Sequence, residues 1–149
     1  MRRTFLTVVL LSLCLIVLAT AQPDPQTALW RALKKQLSGS KGEQYFEANV
    51  KGTALPPLKG TLISALISEG VSRAVLKMPG SEEPDVTLVV HNGSAKLKGG
   101  PTPGINIEFK GVAVIFSKDP FMLTFDVDIG NLRGLVFEER AAKRGSRDE

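Results

Sequence analysis

Apolar and polar residues alternate along the chain from Leu55 to Asp128, and this period of two restricts that part of the sequence to β-strands. Clusters of Gly, Pro, Ser and Asp separate the alternating stretches and mark turns. We therefore predict five strands, over residues 60–67, 72–78, 85–91, 105–116 and 121–128. The pair Asn92-Gly93 is a strong hairpin signal, with residues 95–98 as a short returning partner.

The fourth predicted strand contains a break in its alternation between Phe109 and Val112. One face of this strand can stay apolar only if Gly111 marks a bulge or a sharp bend. Long strands that bend at a glycine form the corners of small barrels. The predicted fold class is therefore mainly β, a small five-stranded, OB-like, partly closed barrel preceded by an N-terminal α-helix. A β-sandwich is the alternative.

The segment before the strands has a helical period. Asp24-Pro25 is a typical helix start, and Leu29, Leu33 and Leu37 recur on one face. The predicted helix has about 12 residues and ends at the Ser38-Gly39-Ser40 sequence. A second helical turn is predicted from Glu43 to Asn49.

The N-terminus has the three parts of a secretory signal peptide. Arg2 and Arg3 precede an uncharged stretch over residues 4–21, which ends in the small-residue sequence Ala19-Thr20-Ala21. We predict cleavage between Ala21 and Gln22 and export to the periplasm or the extracellular space. The alternative is an uncleaved N-terminal anchor that faces outward, because 18 uncharged residues just reach a spanning length.

Export leaves a mature chain without cysteine, because Cys14 lies in the signal segment. The domain must then be held by its core and not by disulfides. Without Arg2 and Arg3, 17 basic residues face 15 acidic ones, and a net charge of +2 is too small to indicate a polyanionic partner. The predicted organisation is a signal peptide (1–21), a helical segment (22–52), an OB-like β domain (53–137) and a disordered charged tail (138–149).

Four sequence segments between Tyr45 and Asp128 are the basis of a resemblance to a known family: Tyr45-Phe46-Glu47-Ala48-Asn49-Val50-Lys51-Gly52, Leu55-Pro56-Pro57-Leu58-Lys59-Gly60-Thr61, Asp85-Val86-Thr87-Leu88 and Asp119-Pro120-Phe121-Met122-Leu123-Thr124-Phe125-Asp126. The chain resembles an OB-like domain at the C-terminal end of uncharacterised, exported, repeat-containing proteins of Acidobacteria. The helical repeats that precede the domain there are missing here. The resemblance implies an exported location and a fold, and it implies no site residue.

The acidic residues Asp119, Asp126 and Asp128 are weak candidates for a divalent-metal site. On a strand, Asp126 and Asp128 project to the same face, and Asp119 could lie near them across a turn. The sequence from Asp126 to Asn131 is similar to the start of a calcium loop, but Gly130 occupies a ligand position and no glutamate follows at the required distance. His91 is the only histidine, and no nucleophile motif accompanies it, so no catalytic residue, metal or cofactor is assigned.

Trp30, Arg73 and Lys77 are the weak candidates for partner binding. Trp30 lies on the predicted helix, which either packs on the barrel or presents this side chain to a partner. Arg73 and Lys77 lie on the second strand, and no Phe, Tyr or Trp occurs on the second or third strand, so nucleic acid is not the expected partner. We expect a non-enzymatic binding domain in the cell envelope whose partner is another envelope protein. The alternatives are a metal-dependent (calcium-binding) or enzymatic protein that uses the three aspartates, and a small-ligand carrier.

Overall fold

The computed structural model describes residues 22–139, so the predicted signal peptide (1–21) and most of the predicted tail (140–149) lie outside the described residues. Within residues 22–139 two helices come first, α1 (Pro25–Ser38) and α2 (Gly42–Tyr45), and α2 continues into a π-helical turn (Phe46–Val50). Nine strands follow: β1 (Leu58–Leu66), β2 (Gly70–Lys77), β3 (Val86–Gly93), β4 (Lys96–Leu97), β5 (Asn106–Phe109), β6 (Val112–Lys118), β7 (Phe121–Asp128), β8 (Leu132–Arg133) and β9 (Phe137–Glu138). A 3₁₀ turn (Ile129–Asn131) precedes β8.

Seven of the strands form one large mixed sheet in the order β6-β7-β3-β2-β1-β5-β8, which is open because β6 and β8 are its two edges. Every neighbouring pair is antiparallel except β3 and β7, which run parallel. The other two described strands, β4 and β9, pair with each other. The prediction of a mainly β protein is confirmed. Two packed sheets of a sandwich are not seen, because the second sheet has only two strands of two residues each.

One face of the large sheet forms the core, and the sequence alternation predicts that face well. On β7 the alternation predicts Phe121, Leu123, Phe125 and Val127 as inward, and the last three are buried while Phe121 is half-buried against the core. On β2 the alternation predicts Arg73 and Lys77 on the outward face and Ala74 and Leu76 on the inward face; the structure agrees, with Ala74 and Leu76 buried and Arg73 exposed. The bounds of β7 are those predicted from the sequence.

Helix α1 packs against this core and contributes three buried side chains, Trp30, Leu33 and Leu37. The ring of Trp30 meets that of Phe121 edge-on, with centroids 6.3 Å apart. Asp24 is the N-cap residue of α1, as predicted, although its side chain makes no capping hydrogen bond. The apolar face of the helix therefore completes the core, as its leucine period predicts.

Gly111 separates β5 from β6 where two chain segments come very close. A Cβ atom at this position would lie 2.6 Å from the carbonyl oxygen of Asp126 and 2.7 Å from Cγ2 of Val127, so only glycine fits. The predicted bend at Gly111 is confirmed, but the alternation after it, which places Val112, Val114 and Phe116 inward, is wrong in part. A register shift at Val114 turns Ala113 and Phe116 toward the core and leaves Ile115 62% exposed. This bulge is an insertion of one residue, which the apolar pattern alone does not locate.

The prediction of a hairpin at Asn92-Gly93 is wrong. Both residues belong to β3, and the strand that follows, β4, pairs with β9 and not with β3. The amide of Asn92 is buried and donates hydrogen bonds to the carbonyl oxygens of Ala95 (2.8 Å) and Ser68 (3.1 Å). The chain does turn here, since the N–H of Ala95 donates to the carbonyl oxygen of Asn92 (2.9 Å), but the segment that follows does not return along β3.

Candidate functional site

The structure separates the three aspartates that the sequence suggested as a metal site. Asp126 and Asp128 project outward from β7, as predicted, but Asp119 precedes the other end of that strand. Five residue steps from Phe121 to Asp126 correspond to roughly 17 Å along a strand. The expected proximity of Asp119 is therefore wrong. Within residues 22–139 no group of three or more His, Cys, Asp or Glu side chains could hold a metal ion.

Asp126 instead lies beside His91, across the parallel pair of β3 and β7. The distance from His91 Nε2 to Asp126 Oδ1 is 3.5 Å, and each side chain is about half exposed. Asp128 is the register neighbour of His91 on β7. An exposed pair of this kind contributes at most about 1 kcal/mol to stability and forms a salt bridge only when the histidine is protonated. The contact between His91 and Asp126 was not predicted, because the parallel pairing of β3 with β7 leaves no signal in the local sequence.

The three candidates for partner binding divide between the core and the surface. Trp30 is 1% exposed, so it cannot be presented to a partner, and the first of its two predicted arrangements, packing on the β domain, is the one seen. Its indole Nε1 is buried without a hydrogen-bond partner among the described residues. Arg73 and Lys77 lie on the outward face of β2, as predicted, with Arg73 exposed and Lys77 half-buried.

A buried carboxylate joins helix α1 to the loop between β2 and β3. Asp85 is 2% exposed and accepts hydrogen bonds from the backbone N–H of Met78 (2.9 Å), from Lys34 Nζ (2.9 Å) and from the hydroxyl of Ser81. Lys34 also donates to Ser81 Oγ at 2.8 Å. All the groups that face this carboxylate are donors, so the network fixes the loop against the helix. From the sequence, Asp85 was only the first residue of a strand.

Beside this loop, on the outward side of β1, β2 and β5, lies a groove of about 500 Å³, which we call the polar groove. Its volume is within the range typical of small-molecule sites. Polar side chains from four parts of the chain line it: Asp24, Thr27, Lys59, Thr61, Lys77 and Asn106. The loop residues Pro79, Gly80 and Ser81 form its border.

Three of these side chains form a row across the strands. Thr61 on β1 is the register partner of both Lys77 on β2 and Asn106 on β5. Within the described residues none of the three makes a side-chain hydrogen bond or an ion pair. An ammonium, a hydroxyl and an amide thus stand side by side with their donors and acceptors unused.

Lys59 supplies a second cation at the polar groove, although it is already partly engaged. Its Nζ lies 3.5 Å from Glu108 on β5, and Arg133 on β8 approaches the same carboxylate at 3.7 Å. The lining as described includes no histidine and no cysteine, and the border hydroxyl of Ser81 is held by Lys34 and Asp85. The arrangement is therefore suited to binding a polar ligand by hydrogen bonds and charge.

Comparisons with known proteins add no further constraint on the site, since neither the protein-family models nor the curated proteins give a match to this chain. Among the described residues, no helix combines the length and the apolar character needed to cross a membrane.

Proposed function

We propose that this protein is an exported, non-enzymatic binding module and that the polar groove is its recognition surface. The observation that carries the proposal is the row of Thr61, Lys77 and Asn106, three uncommitted polar side chains in a groove of ligand size. Buried polar groups are usually paired within the protein, whereas these three side chains are not buried and remain available to a ligand in the groove. Unused donors and acceptors that converge on one groove are what a polar ligand requires.

The scaffold in this proposal is an OB-like barrel. The antiparallel series β1-β2-β3, the parallel pair of β3 with β7, and the pairing of β5 with β1 and of β6 with β7 support it. Because β5 and β6 are separated only by Lys110 and Gly111, they act as one bent strand with partners on both sides. This pairing supports a five-stranded OB-type barrel as the scaffold.

The proposed ligand is a polar molecule of the cell envelope, such as an oligosaccharide or a polar segment of an envelope protein. The N-terminus has the features of a secretory signal, which supports export, and the resemblance to the acidobacterial domain supports the same cellular location. Single-stranded nucleic acid fits less well, because the polar groove contains no aromatic side chain on which a base could stack. The His91 and Asp126 pair, with Asp128 as the register neighbour of His91, offers less to a divalent cation than the groove offers to a polar ligand.

A thermal-shift screen of the exported chain tests this function. The panel holds neutral and acidic cell-wall oligosaccharides, single-stranded DNA, lipids, Ca²⁺ and Zn²⁺. A ligand that binds only the folded state raises stability by about 2.7 kcal/mol at a hundredfold excess over its Kd, which a melting curve resolves.

We expect an oligosaccharide to raise the melting temperature of the wild type and of Arg73→Gln, but not that of Lys77→Gln. Arg73 is the matched control, because it lies on the same face of β2 and outside the groove lining. A cooperative melt that no oligosaccharide shifts, or a shift by DNA or a cation alone, would overturn the proposal.

A further inference from the structure

A second depression lies on the other side of the Pro79–Ser81 loop, against helix α1. It has a volume of about 180 Å³, and we call it the basic depression. Its polar lining consists of Arg31, Lys34, Lys35, Ser38 and Ser81, and Trp30 contributes to its wall. The loop that borders the polar groove thus also borders this depression, but none of the groove's strand residues take part in it.

The basic side chains of the basic depression differ in whether they already have an acidic partner. Lys34 is neutralised by the buried Asp85 at 2.9 Å. Arg31 and Lys35 are exposed, and neither makes an ion pair or a side-chain hydrogen bond within residues 22–139. The lining contains no acidic residue, although Glu82 and Glu83 follow Ser81 in the same loop and are exposed. Two uncompensated positive charges therefore meet in a space large enough for a small anion.

The position of the Arg31 guanidinium is defined by the loop. A Cβ atom at Gly80 would lie 3.6 Å from Arg31 Nε and 3.7 Å from Nη2, so the guanidinium packs over this glycine. Gly80 has a φ of +82°, a backbone conformation that favours glycine, so the shape of the loop at this point depends on that residue. The Ser81 hydroxyl on the same loop is fixed by Lys34 and Asp85. The guanidinium of Arg31 on α1 thus lies against the loop that carries this fixed hydroxyl.

We propose that the basic depression binds a phosphate group. Arg31 offers several donors in a planar fork, and Lys35 adds a point charge one helical turn further along α1. The hydroxyl of Ser38 lies in the same lining and can donate to a further oxygen, whereas the proton of the Ser81 hydroxyl is already donated to Asp85. Three donor groups along one face of α1, on Arg31, Lys35 and Ser38, engage the several oxygens of a tetrahedral phosphate more fully than the two of a carboxylate. The phosphate comes either from a soluble phosphate ester or from a phospholipid headgroup, which share this chemistry.

A titration of the ¹⁵N-labelled exported chain with inorganic phosphate, followed by NMR, tests the proposal. We expect saturable shifts confined to the amides of α1 around Arg31–Ser38 and of the loop at Gly80 and Ser81, with acetate weaker than phosphate. In Arg31→Gln and in Lys35→Gln the affinity should fall about tenfold or more, the effect of losing a charge-assisted hydrogen bond. Lys110→Gln removes the same charge outside both depressions and should leave the affinity unchanged.

Vesicles of phosphatidylglycerol, compared with phosphatidylcholine, identify the source of the phosphate. Co-sedimentation that inorganic phosphate competes away and that Arg31→Gln weakens supports the site with a lipid as its source. Phosphate binding without co-sedimentation supports the site with a soluble ester. Shifts that grow linearly without saturation, or that Lys110→Gln weakens as much as Arg31→Gln does, would overturn the proposal. Because the polar groove shares neither arginine nor lysine with this site, failure here leaves the proposed function standing.

Discussion

Lys34 Nζ lies 2.9 Å from Asp85 Oδ2, and this contact ties helix α1 to the loop between β2 and β3 across 51 positions of sequence. The carboxylate is 3% exposed, whereas the lysine is one-third exposed and keeps access to water. Both the polar groove and the basic depression border this loop. The shape of both candidate sites therefore depends on one buried acidic residue.

Asp85→Asn should lower the free energy of unfolding by about 1–3 kcal/mol, because the amide carries no charge for Lys34 and brings a donor into a cluster of donors. Urea denaturation measures this change. The matched control is Glu47→Gln, which removes an exposed partner of Lys51 on the same helical turn and should cost less than about 0.5 kcal/mol. Equal losses in the two variants would show that the loop network does not hold the helix.

Trp30→Ala should cost about 3–5 kcal/mol, because it empties a buried site at the contact of α1 with Phe121. Trp30→Phe should cost much less, about 1 kcal/mol or less, because it keeps a ring there and removes an indole N–H that has no partner among the described residues. Thermal or urea unfolding separates the two variants. A loss in Trp30→Phe as large as in Trp30→Ala would mean that the N–H is satisfied in solution.

Gly111→Ala should destabilise the fold by about 1–3 kcal/mol, because the new Cβ would overlap the backbone of β7 at Asp126. Gly130→Ala is the control, since a Cβ there meets nothing within 4 Å. Comparison of their urea midpoints checks the bend between β5 and β6. If Gly111→Ala were as stable as Gly130→Ala, the close approach of Gly111 to Asp126 and Val127 of β7 would be contradicted.

The double variant Asp126→Asn, Asp128→Asn should change stability by no more than about 1 kcal/mol, because the contact of His91 with Asp126 is exposed. Addition of Ca²⁺ should leave the melting temperature of the wild type and of this variant unchanged. A rise in the wild type that the variant lacks would restore the metal-site hypothesis for this part of β7.

Much of the fold can be predicted from the local pattern of apolar and polar residues, whereas the candidate sites cannot. The period of α1, the inward face of β7 and the bend at Gly111 were predictable, because each depends on residues within one element. The Val114 bulge and the buried amide of Asn92 were not, because they depend on which strands become neighbours.

The same limit applies to the two depressions. Lys77 was identified as an outward cation, but its neighbours Thr61 and Asn106 come from other strands and appear only when β1, β2 and β5 pair. Arg31 and Ser81 are 50 positions apart in the sequence and meet only because α1 packs beside the β2–β3 loop. Predicting either set requires the non-local pairing first, which alternation does not specify.

The most direct test of the binding-module proposal is to map, by NMR chemical-shift changes, where a cell-wall oligosaccharide contacts a ¹⁵N-labelled chain of residues 22–149. We expect saturable changes centred on Thr61, Lys77 and Asn106, which Lys77→Gln abolishes and Arg73→Gln preserves. Saturable changes centred instead on His91 and Asp126, or binding that Lys77→Gln leaves intact, would contradict the assignment of the polar groove as the recognition surface.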